Sequence, residues 1–192
     1  CNYIHLPLQA GSDRILKRMN RTYNQKEYLA LVDIIKQYLP ECSISTDIIV
    51  GFPGETDSEF QETLNVMNLA GFSNAFMFKY SSRPGTKAAE YSDHIEESIK
   101  QHRLEKVIEL QKLLTLQKNQ YYIGRIIKVL VEKESKRSSD QWAGRTDGNT
   151  WVIFDKIDEN IKDIVDVHIK DAQGVTLFGN RILEKESAYE VN

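Results

Sequence analysis

The sequence predicts an α/β segment followed by an all-β segment, and three observations support this fold class. Strand-like and helix-like stretches alternate over residues 1–118, which is typical of a parallel sheet with helical crossover connections. After Tyr122 the pattern changes to short strands separated by turn residues. Five such strands in about 65 residues indicate a small closed barrel of the oligonucleotide-binding (OB) kind.

Two capping boxes predict where helices begin in the α/β segment. Gln25 follows Thr22, and Glu59 follows Thr56, at the spacing that lets both side chains satisfy free backbone N–H groups. The first of these helices must end before Pro40, which cannot continue it. In chain order, the predicted elements are a strand at 3–8, a basic and mildly helical stretch, a helix at 22–39, a strand at 43–50, a helix at 56–70, a strand at 74–79, a polar loop at 80–86 and a helix at 96–119.

Alternating apolar residues and turn signals predict the strands of the all-β segment. Asp147-Gly148-Asn149 and Gln173-Gly174 are turn sequences that lie between apolar runs. The predicted strands cover residues 125–132, 141–146, 151–155, 164–172 and 176–182.

Composition limits the classes of function. Of 192 residues, 41% are hydrophobic, so a packed core is expected rather than disorder. No apolar run approaches the ~20 residues that span a bilayer, so no membrane partner is expected. The net charge is −3, and residues 120–192 hold 11 Lys and Arg against 13 Asp and Glu. Any binding of nucleic acid must therefore rely on local basic patches.

The two cysteines and the start of the chain carry further information. Cys1 and Cys42 form no disulfide framework, which predicts a reducing, cytoplasmic location. They are also too few for an iron–sulfur cluster, so no metal site is predicted. Cys1 stands where an initiator Met would be, and no polar tether of the lipoprotein kind follows it. A parallel strand at 3–8 would also need an upstream partner, so a piece of a longer protein is expected.

Four segments together resemble the methylthiotransferases of the radical-S-adenosylmethionine (SAM) superfamily. Their order and spacing extend over nearly the whole chain, which makes the match specific. The family usually has Ser where this chain has Ala10. The segments are HLPLQAGSD at 5–13, STDIIVGFPGET at 45–56, FKYSSRPGT at 78–86 and GRTDGN at 144–149.

The resemblance implies a specific architecture and activity. It implies the C-terminal half of a radical-SAM partial (β/α) barrel at residues 1–118, and a small five-stranded, OB-like TRAM barrel that binds tRNA at about 120–185. Arg83-Pro84-Gly85 and the turn at Ser135–Ser138 are most similar to one branch of the family. That branch converts N(6)-dimethylallyladenosine, next to the tRNA anticodon, to its 2-methylthio derivative. Its partners would be the anticodon stem-loop and an electron donor, and a monomer is expected.

The resemblance also implies cofactors. The full-length enzyme would use SAM and two [4Fe–4S] clusters, one of which generates a 5′-deoxyadenosyl radical while the auxiliary cluster delivers sulfur. The cluster cysteines are not among these 192 residues. This chain alone is therefore expected to be inactive and to bind no cluster through its own cysteines, and its catalytic residues stay unassigned. Three alternatives remain open: a branch that modifies threonylcarbamoyl-adenosine in tRNA, a branch that modifies a ribosomal protein, and a module that only binds RNA.

The predicted loops at the carboxyl ends of the strands would meet where parallel α/β sheets bind ligands. Glycines there allow close backbone approach, although tight turns and helix caps explain them nearly as well. Asp47, a carboxylate within an apolar strand, faces either SAM or a structural partner such as a buried Arg. His5 is expected to be a satisfied core histidine. The predicted SAM-binding residues are Gln9, Gly11, Ser12, Asp47, Gly51, Gly54 and Tyr80.

Basic and aromatic residues in the barrel predict RNA contacts. Cations reach phosphates, and an aromatic ring stacked on a base contributes roughly 1–3 kcal/mol. Trp151 is instead expected to fill the barrel core. Outside the barrel, Arg14, Lys17, Arg18 and Arg21 would share one helical face that either contacts tRNA or is simply solvated. The predicted RNA-binding residues are Arg125, Lys128, Lys136, Arg137, Trp142 and Arg145.

Overall fold

The computed structural model describes residues 1–136 and 138–182, and the chain forms two compact units. One unit comprises residues 4–114, and the other comprises residues 1–3 together with the chain from Thr115 onward. In chain order the elements are β1 (Tyr3–His5), α1 (Asp13–Arg18), α2 (Gln25–Tyr38), β2 (Ser43–Val50), α3 (Asp57–Ala70), β3 (Asn74–Lys79), a 3-10 helix (Lys87–Glu90), α4 (Glu97–Gln120), β4 (Ile126–Glu134), β5 (Gln141–Thr146), β6 (Trp151–Asp155), β7 (Ile164–Gln173) and β8 (Thr176–Arg181).

A three-stranded sheet is the centre of the 4–114 unit. Its order is β1-β2-β3, and β2 and β3 pair in parallel, as the alternation of strands and helices predicted. The predicted strands at 43–50 and 74–79 are confirmed to the residue. The first strand is shorter than predicted, because Pro7 has no N–H to donate. Pairing resumes at an isolated parallel bridge between Gln9 and Ile48.

The cap of α2 differs from the predicted one. Asn24 Oδ1 accepts a hydrogen bond from the Glu27 N–H at 2.9 Å, and Glu27 Oε2 accepts one from the Asn24 N–H at 3.0 Å. This reciprocal pair is the capping box, so the predicted pair of Thr22 and Gln25 was wrong. Gln25 is the first residue of the helix, and its side-chain amide donates to the Gly11 carbonyl at 2.7 Å. A capping box tolerates either Asn or Thr, and the sequence offered both.

Helix α3 begins as predicted and closes the core of this unit. The Thr56 and Glu59 capping box is confirmed, and the helix ends at Gly71, whose φ of +56° is the left-handed conformation of a helix C-terminus. Apolar faces of α2, α3 and α4 cover one side of the sheet. The buried core consists of Leu8, Tyr28, Val32, Ile44, Ile48, Val50, Phe60, Val66, Met67, Ala70, Phe72 and Val107.

The second unit contains the predicted five-stranded barrel. The strands close in the order β4-β5-β6-β8-β7, with β6 and β8 parallel and the other pairs antiparallel. Closure removes sheet edges that would otherwise pair with other chains. Two predicted strands, 141–146 and 151–155, are confirmed to the residue, and the other three differ by one or two residues at an end.

Alternation along the strands divides the barrel into an inner and an outer face. Along β6, Val152 and Phe154 are buried in the core, whereas Trp151 and Ile153 are only half-buried on the outer face. The expectation that Trp151 fills the core was therefore wrong, because its strand register turns it outward. The buried core consists of Val129, Val131, Val152, Phe154, Val165, Val167, Ile169 and Leu177.

These observations confirm the predicted fold class, an α/β segment followed by an all-β barrel. Among the described residues, no helix is long and apolar enough to cross a membrane.

Candidate functional sites

A cleft of about 1050 Å³ lies at the carboxyl ends of β2 and β3. Phe52, Tyr80 and Ser81 from the loops after these strands line it, together with the chain that follows α1. Parallel α/β sheets bind ligands at this end, because the strand-end loops converge there. The cleft is therefore the first candidate site.

Six cations line this cleft, and no carboxylate is among its lining residues. Two of them are engaged: Arg18 bonds Asp93 at 2.8 Å, and Lys79 contacts Glu97 at 2.5 Å. The other four form no salt bridge within the described part of the chain and are exposed, which favours an anionic ligand. They are Lys17, Arg21, Arg83 and Lys87.

The predicted basic face of residues 14–21 is divided in the structure. Helix α1 ends at Arg18, so Arg21 lies beyond it. Arg14 turns away from the others and bonds Glu59 with Nε and Nη2, both at 2.6 Å. Lys17, Arg18 and Arg21 line the cleft. The prediction that all four cations share one helical face was therefore wrong.

An aromatic pair forms part of the cleft wall. The rings of Phe52 and Tyr80 pack edge to face, with centroids 5.0 Å apart. The Tyr80 hydroxyl is shielded from solvent and has no hydrogen-bond partner among the described residues. A buried hydroxyl without a partner costs roughly 1–3 kcal/mol, so a ligand group that reached it would recover this energy.

The turn between β2 and α3 is held by a buried ion pair. Gly51 has φ +71° and Gly54 has φ +75°, which L side chains rarely adopt. Glu55 Oε2 accepts a hydrogen bond from the Gly51 N–H at 2.7 Å and from Arg103 Nη1 at 2.8 Å. Glu55 and Arg103 are 2% and 4% exposed, and burial raises the pKa of Glu55 despite the guanidinium beside it. Glu55 thus fixes the turn itself, a role that the sequence motif did not reveal.

Three of the predicted SAM-binding residues are buried next to β2 or α3 rather than lining the cleft. Gln9 has φ +71°, and its backbone N–H donates to the Asp47 carbonyl at 2.8 Å. The Gly11 N–H donates to Thr63 Oγ1 at 2.9 Å, and a Cβ at Gly11 would lie 2.5 Å from the Thr63 backbone. Gly11 therefore allows the chain to approach α3 closely.

Ser12 belongs to a polar cluster around Glu59. It occupies the N-cap position of α1 but makes no side-chain cap; instead its hydroxyl donates to Glu59 Oε1 at 3.1 Å. Glu59 also accepts from Arg14 and caps α3 through Thr56. The Arg14 hydrogen bond and the Thr56 contacts together lower the pKa of Glu59 to about 2.

Asp47 faces the side of the sheet opposite the core. Its Oδ2 lies 3.4 Å from His5 Nε2, and His5 Nδ1 is 2.8 Å from Ser45 Oγ. His5 is exposed and packs edge to face on Phe76, so the expectation of a core histidine was wrong. The structural partner of Asp47 is thus a histidine and not an arginine.

Of the seven predicted SAM-binding residues, only Tyr80 lines the cleft. Gly51 and Gly54 shape the turn beside it, and Asp47 lies on the open face of the sheet. The sequence singled out Arg21 within the basic set at 14–21 but gave no signal for Lys87, because an isolated surface Lys is usually solvated.

In the barrel, several predicted RNA-binding cations have protein partners. Lys128 bonds Asp166 at 3.1 Å, and Arg125 stacks on the Tyr121 ring at 3.3 Å from its centroid. Arg145 bonds Asn149 Oδ1 at 2.6 Å and stacks on Trp151. Because they are held by neighbouring side chains, these cations are partly neutralised or shielded.

The remaining predicted residues fall in three places. Trp142 packs partly against the barrel core, with Lys156 Nζ 4.2 Å from its ring centroid. Lys136 is exposed and lines a separate groove. Arg137 lies outside the described residues.

That groove, of about 360 Å³, lies on the outer face of the barrel. We call it the outer groove. Its principal lining residues are Lys133, Lys136, Ala143, Trp151, Ile153 and Phe178.

The described residues contain no group of three or more His, Cys, Asp or Glu side chains that could hold a metal ion. Cys1 is exposed and Cys42 is buried next to β2, and they are the chain's two cysteines.

Family models match both parts of the chain. Residues 1–67 match the Radical SAM superfamily, and residues 120–181 match the TRAM domain. Among solved structures, coproporphyrinogen III oxidase from Escherichia coli, a radical SAM enzyme, aligns with a TM-score of 0.50 and 14% identity, covering 78% of this chain and 44% of that one. The fold is thus that of a radical-SAM barrel segment joined to a TRAM barrel.

Curated relatives make the resemblance more specific. Proteins from Christiangramia forsetii, Methylacidiphilum infernorum and Bacteroides fragilis are 46%, 40% and 46% identical to this chain, each over 95% of its length. All three are named tRNA-2-methylthio-N(6)-dimethylallyladenosine synthase. The chain spans 38–40% of the length of these relatives. The predicted resemblance to the radical-SAM tRNA methylthiotransferases, and to this branch in particular, is confirmed.

Proposed function

We propose that this chain is part of a tRNA methylthiotransferase that adds a 2-methylthio group to N(6)-dimethylallyladenosine beside the anticodon. The observation that carries this proposal is the 40–46% identity to synthases of that name along nearly the whole chain. The cationic cleft at the carboxyl ends of β2 and β3, followed by an OB-like barrel, is consistent with a tRNA substrate.

The cleft has features that suit SAM. An aromatic wall formed by Phe52 and Tyr80 can contact the adenine, and the Tyr80 hydroxyl has an unfilled hydrogen-bonding capacity. A cation such as Arg83 can bind the methionyl carboxylate or a substrate phosphate. SAM supplies the methyl group and the radical-forming sulfonium; these side chains would bind and orient it. The Gly51–Gly54 turn would hold Phe52 in place for this contact.

The residues of this chain do not fit an iron–sulfur cluster. Such clusters are held by three or four thiolates, whereas the chain offers two cysteines, one exposed and one buried next to β2. We therefore propose that both [4Fe–4S] clusters, and the electron donor that serves them, depend on parts of the enzyme other than these residues. The chain alone should bind substrate groups without turnover.

For tRNA, we propose that the barrel contributes an anchor and the cleft faces the modified nucleotide. The predicted contacts Arg125, Lys128, Lys136, Arg137 and Arg145 would bind phosphates. Such an enzyme would act in the cytoplasm, where tRNA is processed, and we expect it to be a monomer.

The test is binding of this 192-residue chain to an anticodon stem-loop RNA, with and without the dimethylallyl group, across a salt titration. We expect affinity that falls with salt for both RNAs, because phosphate contacts release counterions. A preference for the dimethylallyl form would show that the cleft recognises the modification. Absence of binding to both RNAs at low salt would contradict the anchor role of the barrel. It would favour the branch of the family that modifies a ribosomal protein.

A further inference from the structure

Of the principal residues that line the outer groove, only Lys136 is among the predicted RNA-binding residues. Strand register places Lys133, Ala143, Ile153 and Phe178 in one row across β4, β5, β6 and β8. Trp151 stands in the adjacent row, paired with Thr176. All of these side chains lie on the outer face of the barrel, so the groove is not an extension of the core.

The shape of the groove follows from the small side chain in the middle of this row. Ala143 is 4% exposed and forms the floor, while the larger side chains of Trp151, Ile153 and Phe178 are half-buried around it. The resulting volume of about 360 Å³ falls in the ~300–1,000 Å³ range of small-molecule pockets. A groove of this size accommodates a planar ring system about as large as a nucleobase.

The charges around the groove favour an anionic occupant. Lys133 and Lys136 are exposed, form no salt bridge among the described residues, and line the groove together with no Asp or Glu. The Lys133 ammonium lies 4.5 Å and the Arg145 guanidinium 4.3 Å from the Trp151 ring centroid. Both cations lie over the Trp151 ring, so a base that stacks there displaces one of them from the ring face and leaves that cation beside the phosphate of the same nucleotide.

We propose that the outer groove is a single-stranded RNA site in which Trp151 and Phe178 contact bases and Lys133 and Lys136 bind the adjoining phosphates. This inference rests on the proposed tRNA function and assigns its base contact to Trp151 rather than Trp142. Aromatic rings flanked by lysines on the surface of an OB-like barrel are how such barrels hold single strands without reading sequence.

The first experiment measures binding of an oligoadenylate to the 192-residue chain, at a length within the roughly 4–16 nucleotides that one such barrel covers. Trp151→Ala should weaken binding roughly 5- to 150-fold, the loss expected for one base stack, and Trp151→Phe should recover part of it. Ile164→Ala, which trims an exposed apolar side chain outside the groove, is the matched control and should bind like the parent. An abasic strand of equal length should bind parent and Trp151→Ala alike.

Intrinsic fluorescence separates the two tryptophans. If a base stacks on Trp151, RNA quenches the tryptophan fluorescence of the parent chain. The Trp151→Phe variant should still bind RNA, and the emission of its remaining tryptophan, Trp142, should not change. Quenching that persists in Trp151→Phe would overturn the assignment to Trp151. Because Phe preserves the aromatic packing, this variant keeps the test valid even if Trp151→Ala does not fold.

Salt dependence tests the lysines. Replacing Lys133 and Lys136 by Ala should lower the slope of log affinity against log salt by roughly 0.7 for each phosphate that the variant no longer binds, whereas Lys170→Ala should not. If the Trp151→Ala variant and the double lysine variant both keep the parent's affinity and salt slope, the groove is not the RNA site, even though the chain still binds RNA. Binding of the oligoadenylate without binding of the stem-loop would support the groove and contradict the tRNA function. Failure to bind either RNA would overturn both.

Discussion

At the scale of single residues, Tyr80 gives the sharpest test of the cleft. Its hydroxyl is buried and has no partner in the part of the chain that the structure describes. Tyr80→Phe removes this unsatisfied group and should therefore leave the free energy of unfolding unchanged or raise it by about 1 kcal/mol. If the hydroxyl bonds SAM, the same change should weaken SAM binding, measured by titration calorimetry, about 2- to 10-fold. Tyr38→Phe, at a 74% exposed residue of α2, is the control. Equal SAM affinity for parent and Tyr80→Phe would remove Tyr80 from the site.

Glu59 predicts how stability depends on pH. Its pKa is lowered to about 2 by Arg14, Thr56 and Ser12, so its ionised form is stabilised by folding. A lowered carboxyl pKa contributes stability that is present above the ordinary value of ~4.3 and is lost as pH falls toward 2. Glu59→Gln should therefore cost about 1–3 kcal/mol at pH 7 and almost nothing near pH 2, in urea denaturation curves. A cost that did not depend on pH would contradict the ionic role.

The buried pair of Glu55 and Arg103 should be among the most sensitive positions of the 4–114 unit. Arg103→Ala leaves a 2% exposed carboxylate without its cation, which typically costs about 3–5 kcal/mol. Replacing both residues by apolar ones should cost less than Arg103→Ala alone, because no unpaired charge is left. Denaturation midpoints of the parent and of these two variants check this order. Asp57, the other partner of Arg103, is 95% exposed, and Asp57→Ala should have little effect.

At the scale of elements, the start of α2 separates two possible caps. Asn24 makes both bonds of the capping box, so Asn24→Ala should lower the free energy of unfolding by about 0.5–2 kcal/mol. Thr22 lies outside the box, and Thr22→Ala should be close to neutral. Equal losses for both substitutions, measured by thermal denaturation, would contradict the observed cap. Thr56→Ala in α3 provides a second genuine cap for comparison.

The elements show which features the sequence could predict. Strands 43–50, 74–79, 141–146 and 151–155 were predicted to the residue, because apolar runs bounded by turn residues determine them locally. The cap of α2 was missed because Thr22 and Asn24 both fit the local pattern. The orientation of Trp151 was missed for another reason. Which face a strand residue occupies depends on the register of the whole barrel, and a shift of one residue reverses it.

The candidate sites depend even more on distant contacts. The loop residues Gln9, Gly11 and Ser12 stand out in the sequence motif, yet their backbone and side-chain bonds go to Asp47, Thr63 and Glu59. No local pattern reveals that the Ser12 hydroxyl donates a hydrogen bond to Glu59, which lies 47 residues further along the chain. Tyr80 was found because it directly follows a strand, where parallel sheets place their ligands.

At the scale of the whole molecule, the net charge of −3 means that RNA cannot be attracted by the chain's overall field. Attraction must come from local clusters, and the cleft has four cations without salt-bridge partners among the described residues.

We expect the double variant Arg21→Ala/Arg83→Ala to bind the stem-loop more weakly than the parent and to lower the salt slope by roughly 0.7–0.9 for each phosphate that is no longer bound. Lys26→Ala, at an exposed cation of α2, should change neither quantity. The measurement is affinity by fluorescence anisotropy at several salt concentrations. If the double variant binds the stem-loop with the parent's affinity and salt slope, the cleft cations do not contact RNA phosphates. Their remaining role would be to bind the carboxylate of SAM, and the same variant would then show a loss of SAM affinity.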